Sequence, residues 1–204
     1  MRAWRMYVVA VCLLALGGCG GGERQDENEP SGNFPVEVVK ASFPETQKLA
    51  KSSALVVTVR NAGRETIPNI ALTVNGFDER KHEPDLADPN RPVFAINGVQ
   101  VKIAGFPESK DAAPRGCDTA YVNTWACGPL RPNQVKTFRW SVTAVRAGDY
   151  RITWRVNAGL DGKAKATAAG GGPPPRGVFA GTISNRAPTV RVADDGHTIV
   201  NGTR

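Results

Sequence analysis

The sequence predicts an all-β fold, a single antiparallel sandwich, on three observations. Apolar residues recur at every second position in several runs, as in strands with one buried face. Those runs are closed by Asn-Ala-Gly63, Asn75-Gly76, Asn97-Gly98 and Arg146-Ala-Gly-Asp149, which are turn sequences. No amphipathic helical pattern of ten or more residues can be traced after the first part of the chain. Composition agrees: 204 residues with 22 Gly, 15 Pro and 41% hydrophobic content suit a loop-rich β protein. A chain of this size buries roughly 70% of its unfolded surface, enough for one core and tight for two. A collagen-like or wholly disordered chain is excluded.

The strands follow in order from Phe34. Leu55, Val57 and Val59 alternate with Val56, Thr58 and Arg60, and Ile70, Leu72 and Val74 form the next run. Val93 to Ile96, Asn97-Gly98 and Val99 to Ile103 predict a two-residue hairpin, because Asn-Gly supplies positive φ at both turn positions. Phe138, Trp140, Val142 and Ala144 form a long run, followed after a short turn by Tyr150, Ile152, Trp154 and Val156; these two strands are expected to pair. Residues 159 to 177, with an Ala-rich stretch and Gly170-Gly-Gly-Pro-Pro-Pro175, read as a flexible loop running into a stiff one. Val178 to Ile183, Thr189 to Val192 and a hairpin at Asp195-Gly196 leading to Thr198-Ile199-Val200 are too little to fold alone, so they are expected to complete the same sheets. The total is roughly eight to ten short strands.

The N-terminus is not part of this pattern. Arg2 and Arg5 precede an apolar run from Met6 to Leu16, an export signal in form. At about 11 residues the run falls short of the roughly 20 that span a membrane. Leu16-Gly17-Gly18-Cys19 is similar to the lipobox of bacterial lipoproteins; the plain alternative is an ordinary secretory signal with a chance cysteine. The resemblance implies removal of residues 1–18, acylation of Cys19 with fatty chains of the palmitate kind, and anchoring to the outer face of a bacterial membrane. Residues 19–33, rich in Gly, Glu, Asp and Asn, then read as a disordered tether with a reach of about 20 Å. The folded domain is expected over 34–204. Loss of Arg2 and Arg5 leaves 24 Lys and Arg against 19 Asp and Glu, a modest positive charge. Export and the lack of an arginine-rich run argue against nucleic acid as partner.

Cys12 leaves with the leader and Cys19 is committed to lipid, so Cys117 and Cys127 remain and are expected to form a disulfide in an oxidising compartment. Their spacing is neither that of a redox Cys-x-x-Cys nor of a zinc knuckle. Tyr121 and Trp125 lie inside this loop; they either pack it onto the sandwich or offer a contact surface.

Ala54-Leu-Val-Val-Thr-Val-Arg-Asn-Ala-Gly63 with Ile67-Pro-Asn-Ile-Ala-Leu-Thr-Val74 resembles the opening of CARDB domains, cell-adhesion-related domains of bacteria, and their immunoglobulin-like relatives. Leu130-Arg-Pro-Asn-Gln134, Phe138 to Val142 and Gly148-Asp-Tyr-Arg-Ile152 match the later part of that pattern. The resemblance covers about 36–159. It departs at Asn133, where Gly is usual, in an insert from Phe77 to Pro92, in the disulfide loop and in the extra C-terminal strands. It implies an immunoglobulin-like sandwich for surface display and contact with protein or cell-envelope polymer, and carries over no catalytic residue.

Site chemistry in the sequence is sparse. The insert from Asp78 to Asn90 gathers five carboxylates, and Asp85, Asp88 and Asn90 could give three oxygens to Ca²⁺, though without EF-hand spacing. No nucleophile, zincin or Ser-x-x-Lys motif is found, and no cofactor is expected. Arg139, Arg151 and Arg155 take the outward phase of the two strands expected to pair. There they would form a basic strip for anionic envelope polymer or headgroups, although alternation alone also places polar residues at those positions. The functional expectation is a non-catalytic adhesion or envelope-assembly module. Its alternative is an accessory lipoprotein holding a small solute or Ca²⁺ in its loops.

Overall fold

The structure of the chain, a computed structural model, describes residues 28–77, 79–80, 84, 89–101, 109–111, 113–186, 190–195 and 197–201. At 99–101, 109–111, 190–192, 199 and 201 it describes the backbone alone. The leader, Cys19, Asp85 and Asp88 lie outside the described residues.

Among the described residues every helix or strand is a strand. One sheet runs in the order β12 (Ala164–Ala168), β1 (Gly32–Ser42), β3 (Ser52–Asn61), β10 (Val135–Ala144) and β5 (Phe94–Ile96). The other runs β2 (Thr46–Lys48), β13 (Arg176–Ser184), β11 (Gly148–Asn157), β4 (Ala71–Asn75), β9 (Thr124–Ala126) and β8 (Asp118–Tyr121). Two small ribbons stand outside them, β6 (Val99–Val101) with β7 (Ser109–Asp111), and β14 (Val190–Val192) with β15 (Ile199–Asn201). The result is the predicted all-β sandwich, with one difference: both large sheets are mixed, since β12 runs parallel to β1 and β2 parallel to β13.

Strand faces follow the alternation. In β10, Phe138, Trp140, Val142 and Ala144 are buried while Arg139 and Ser141 are exposed; in β11, Tyr150, Ile152, Trp154 and Val156 are buried while Arg151 and Arg155 are exposed. Their inner faces meet Leu55, Val57 and Val59 of β3 and Leu72 and Val74 of β4 in one core. Aromatic rings fill its middle: Trp125 and Trp140 meet edge-on at 5.1 Å, and Phe94 meets Tyr150 at 5.2 Å and Phe43 at 5.4 Å. Such contacts add to the area they bury.

Pairing differs from expectation in two places. β10 and β11 do not pair; β10 lies between β3 and β5, and β11 between β13 and β4. The link from Val145 to Ala147 crosses the roughly 10 Å between layers instead of turning within one. Period-2 alternation specifies which side chains face inward and is silent on which layer a strand joins. Nor do the segments around Asn97-Gly98 form a hairpin. β5 pairs with β10, and β6 pairs with β7. Asn97 donates its backbone N–H to the Ser141 carbonyl at 2.8 Å, and its side-chain amide donates to Ser141 Oγ and Ser52 Oγ. Spent on β10, it closes no turn toward β6.

The stretch 159–177 is not loop throughout. Ala164 and Ala166 are buried and Lys165 exposed, so the Ala-rich segment is a strand with a small-residue inner face, β12. β13 joins the second sheet as expected, whereas β14 and β15 form their own ribbon. At Asn133, where the related pattern carries Gly, φ is +62°, and Gln134 N–H donates to the Arg131 carbonyl at 3.0 Å across Pro132 and Asn133. Asn is among the few side chains that tolerate this left-handed backbone.

Candidate binding face

β8 and β9 form a hairpin turned by Val122 and Asn123, with Asn123 at φ +59°. At its base Cys117 and Cys127 are joined by a disulfide with a Cα–Cα distance of 4.0 Å. Cys117 is buried in the core, so the bond ties the hairpin to the sandwich at its inner edge. The two aromatics of the loop separate. Trp125 is 4% exposed and packs on Trp140, a core residue and not a surface contact. Tyr121 is 49% exposed beside Val122, at the hairpin tip.

The expected strip of three arginines does not form. Arg139 belongs to the first sheet and Arg151 and Arg155 to the second, and their outward side chains leave opposite faces of the sandwich. The pairing register assembles a different set. Tyr121 stands opposite Thr124, Thr124 opposite Thr73, Thr73 opposite Arg155, and Arg155 opposite Arg176, one lateral row across five strands. With neighbouring strands about 4.8 Å apart, the row is about 19 Å long. Its middle is fixed by hydrogen bonds. Thr73 Oγ1 and Thr124 Oγ1 are 2.9 Å apart, and Asn157 Nδ2 donates to Thr73 Oγ1 at 2.9 Å.

Two open clefts share Thr73 and Arg155. One, of about 550 Å³, lies along Arg155, Arg176, Asn75 and Thr153; the other, of about 270 Å³, reaches Tyr121, Asn157 and Lys165. Among the described residues neither Arg155 nor Arg176 has an acidic partner; pairs that do form include Arg60–Glu37 and Lys163–Asp161. Like charges set directly opposite on neighbouring strands cost stability. Arg176 and Thr73 carry no signal in the sequence, since β13 starts two residues before its apolar pattern at Val178 and a threonine on an outward phase is unmarked. Gly177, beside Arg176, leaves room for the Trp154 ring: a Cβ there would come within 2.5 Å of it.

A second feature was also hidden. Glu29, expected in the tether, is buried, and its carboxylate accepts N–H groups from Leu160 at 2.6 Å, Ala164 at 2.8 Å and Asp161 at 3.3 Å. Gly159 makes the approach possible, since a Cβ on it would fall 1.7 Å from Glu29 Oε1. The chain is thus ordered against the sandwich before residue 34, because a carboxylate that meets three backbone donors satisfies the loop it enters. Beside it, the hydrogen bond from Lys163 holds the Asp161 carboxyl below the usual carboxylate range.

Of the three oxygens considered for Ca²⁺, Asn90 alone is described, and its carbonyl accepts from Arg80 Nη1 at 2.9 Å. No group of three or more His, Cys, Asp or Glu suited to a metal occurs among the described residues.

No protein-family profile matches the chain, and no curated protein matches it in sequence. Solved structures similar to it include the CARDB domain of the PF1109 protein from Pyrococcus furiosus, determined in complex with di-metal ions. It is 15% identical, with 81% of this chain and 100% of that domain covered and a TM-score of 0.42. A PapD-like domain of human CEP192 is 12% identical, covering 83% of this chain and 98% of that one, with a TM-score of 0.39. Salmonella alpha-2-macroglobulin is 14% identical over 74% of this chain, with a TM-score of 0.38, and the match spans 7% of that much longer protein.

Proposed function

We propose that the chain is an extracytoplasmic lipoprotein, anchored through Cys19 to the outer face of a bacterial membrane, whose sandwich is a non-catalytic interaction module of the cell envelope. The Cys117–Cys127 disulfide carries this reading. The two cysteines outside the leader and the lipobox are bonded to each other, and such bonds persist in oxidising compartments. Export by the N-terminal signal delivers the chain to one. The interior of the sandwich is filled by side chains, so the chain meets a partner with its outer surface. The Tyr121–Arg176 row offers that surface two arginines, two threonines and a half-exposed tyrosine along two clefts. A protein or an envelope polymer is the class of partner it serves.

Lipid attachment is tested by growing cells that express the full chain with labelled palmitate. The chain takes up label and Cys19→Ser does not; equal labelling of the two would refute the anchor.

A further inference from the structure

Two arginines directly opposite each other on β11 and β13, both without an acidic partner among the described residues, form an arrangement that raises the energy of the empty protein. An anion between them reverses the sign. Each guanidinium presents a planar fork of N–H donors; one fork engages both oxygens of a carboxylate, whereas a phosphate ester, with a third terminal oxygen, a tetrahedral spread and up to two negative charges, accepts from two forks on different pairs of oxygens. On the other side of Arg155 the row continues with Thr73 and Thr124, with Asn157 bonded to Thr73, the neutral donors and acceptors that meet hydroxyl groups.

We propose that Arg155 and Arg176 form a phosphate-binding site, and that the Thr73–Thr124–Asn157 side of the row receives the polyol attached to that phosphate. The ligand class is a polyol phosphate ester that enters the cleft from solution or along a polymer chain. The arginine pair lines a concave cleft, which a flat bilayer surface does not enter. The inference deepens the interaction-module reading and is independent of lipid attachment at Cys19, which the palmitate experiment tests separately.

The test is calorimetric titration of the full chain in detergent with glycerol 3-phosphate, inorganic phosphate, glycerol, and mixed micelles containing phosphatidylglycerol. Glycerol 3-phosphate should bind more tightly than inorganic phosphate, and glycerol not at all. Arg155→Gln with Arg176→Gln should weaken binding at least tenfold, and Arg139→Gln, on the opposite face, should not change it. Arg155→Lys with Arg176→Lys keeps the charge, loses the forks, and should weaken binding too. The unliganded Gln variant should melt no lower than the parent, because a repulsion has been removed. Binding of the micelles alone, unchanged binding in the Gln variant, equal loss in Arg139→Gln, or no binding of any phosphate would each overturn the site.

Discussion

The side-chain amide of Asn61 donates to the carbonyl of Leu130, 69 residues later in the chain, at 2.8 Å. The same amide donates to the Glu65 carbonyl at 2.8 Å, and Asn61 Oδ1 accepts from Gly63 N–H at 2.9 Å. Asn61 is fully buried. The Asn-x-Gly closing β3 is therefore more than a turn signal, since one side chain ties the end of that strand to the segment that enters β10.

Asn61→Ala removes this partner from the Leu130 carbonyl, which keeps the Ile67 N–H, from the carbonyl of the exposed Glu65 and from the Gly63 N–H. At about 0.5–1.5 kcal/mol net per hydrogen bond, and with water able to reach the Glu65 carbonyl, the loss should be about 2 kcal/mol. Urea denaturation of the two proteins reads it directly. A loss below about 0.5 kcal/mol would show that the carbonyls find water.

Cys117→Ser opens the disulfide loop. The chain-entropy estimate for a loop of this length gives a destabilisation of about 3 kcal/mol, and a reducing agent should lower the melting temperature of the parent to a similar extent. An unchanged melting point in both cases would refute a structural role for the bond.

Tyr150 donates its hydroxyl to the Pro44 carbonyl, which also accepts from Gln47 Nε2 at 3.2 Å. Burial pushes the phenol above its ordinary pKa, and the nearby Glu45 carboxylate adds to the rise. The folded protein thus favours the neutral phenol. Its contribution to stability is complete below the unfolded value near 10 and is lost as pH climbs through the higher folded value. Tyr150→Phe should cost about 1 kcal/mol at neutral pH and flatten the alkaline loss of stability. Parallel alkaline limbs for the two proteins would assign that loss to other groups.

Strand faces could be read from the sequence because burial imposes period 2, and the inward residues of β3, β4, β10 and β11 are those the alternation selects. Partners were harder to see. A three-residue link such as Val145 to Ala147 serves equally to turn within a sheet or to cross between sheets, and chain order gives no choice between them. From β1 to β5 and again from β9 to β13 the chain changes sheet at every step, so sequence neighbours are not spatial neighbours. For the same reason the candidate row is only half visible in the sequence. Tyr121 and Arg155 stand out as an aromatic in a loop and a cation on an outward phase, but they share a row only through the register of three separate strand pairs. Glu29 gave no signal, because a carboxylate held by backbone N–H groups needs no apolar neighbour to mark it.

The indole N–H groups of Trp125, Trp140 and Trp154 are buried without a hydrogen-bond partner. An indole excited by ultraviolet light shifts its emission to longer wavelength when water or another polar group reorients around it, and these three rings are held away from water. The folded sandwich therefore fluoresces toward the blue from these rings, and opening it moves the three of them toward the red together. The packing that closes the core is in this way also its optical readout, and no dye or label has to be attached to follow it.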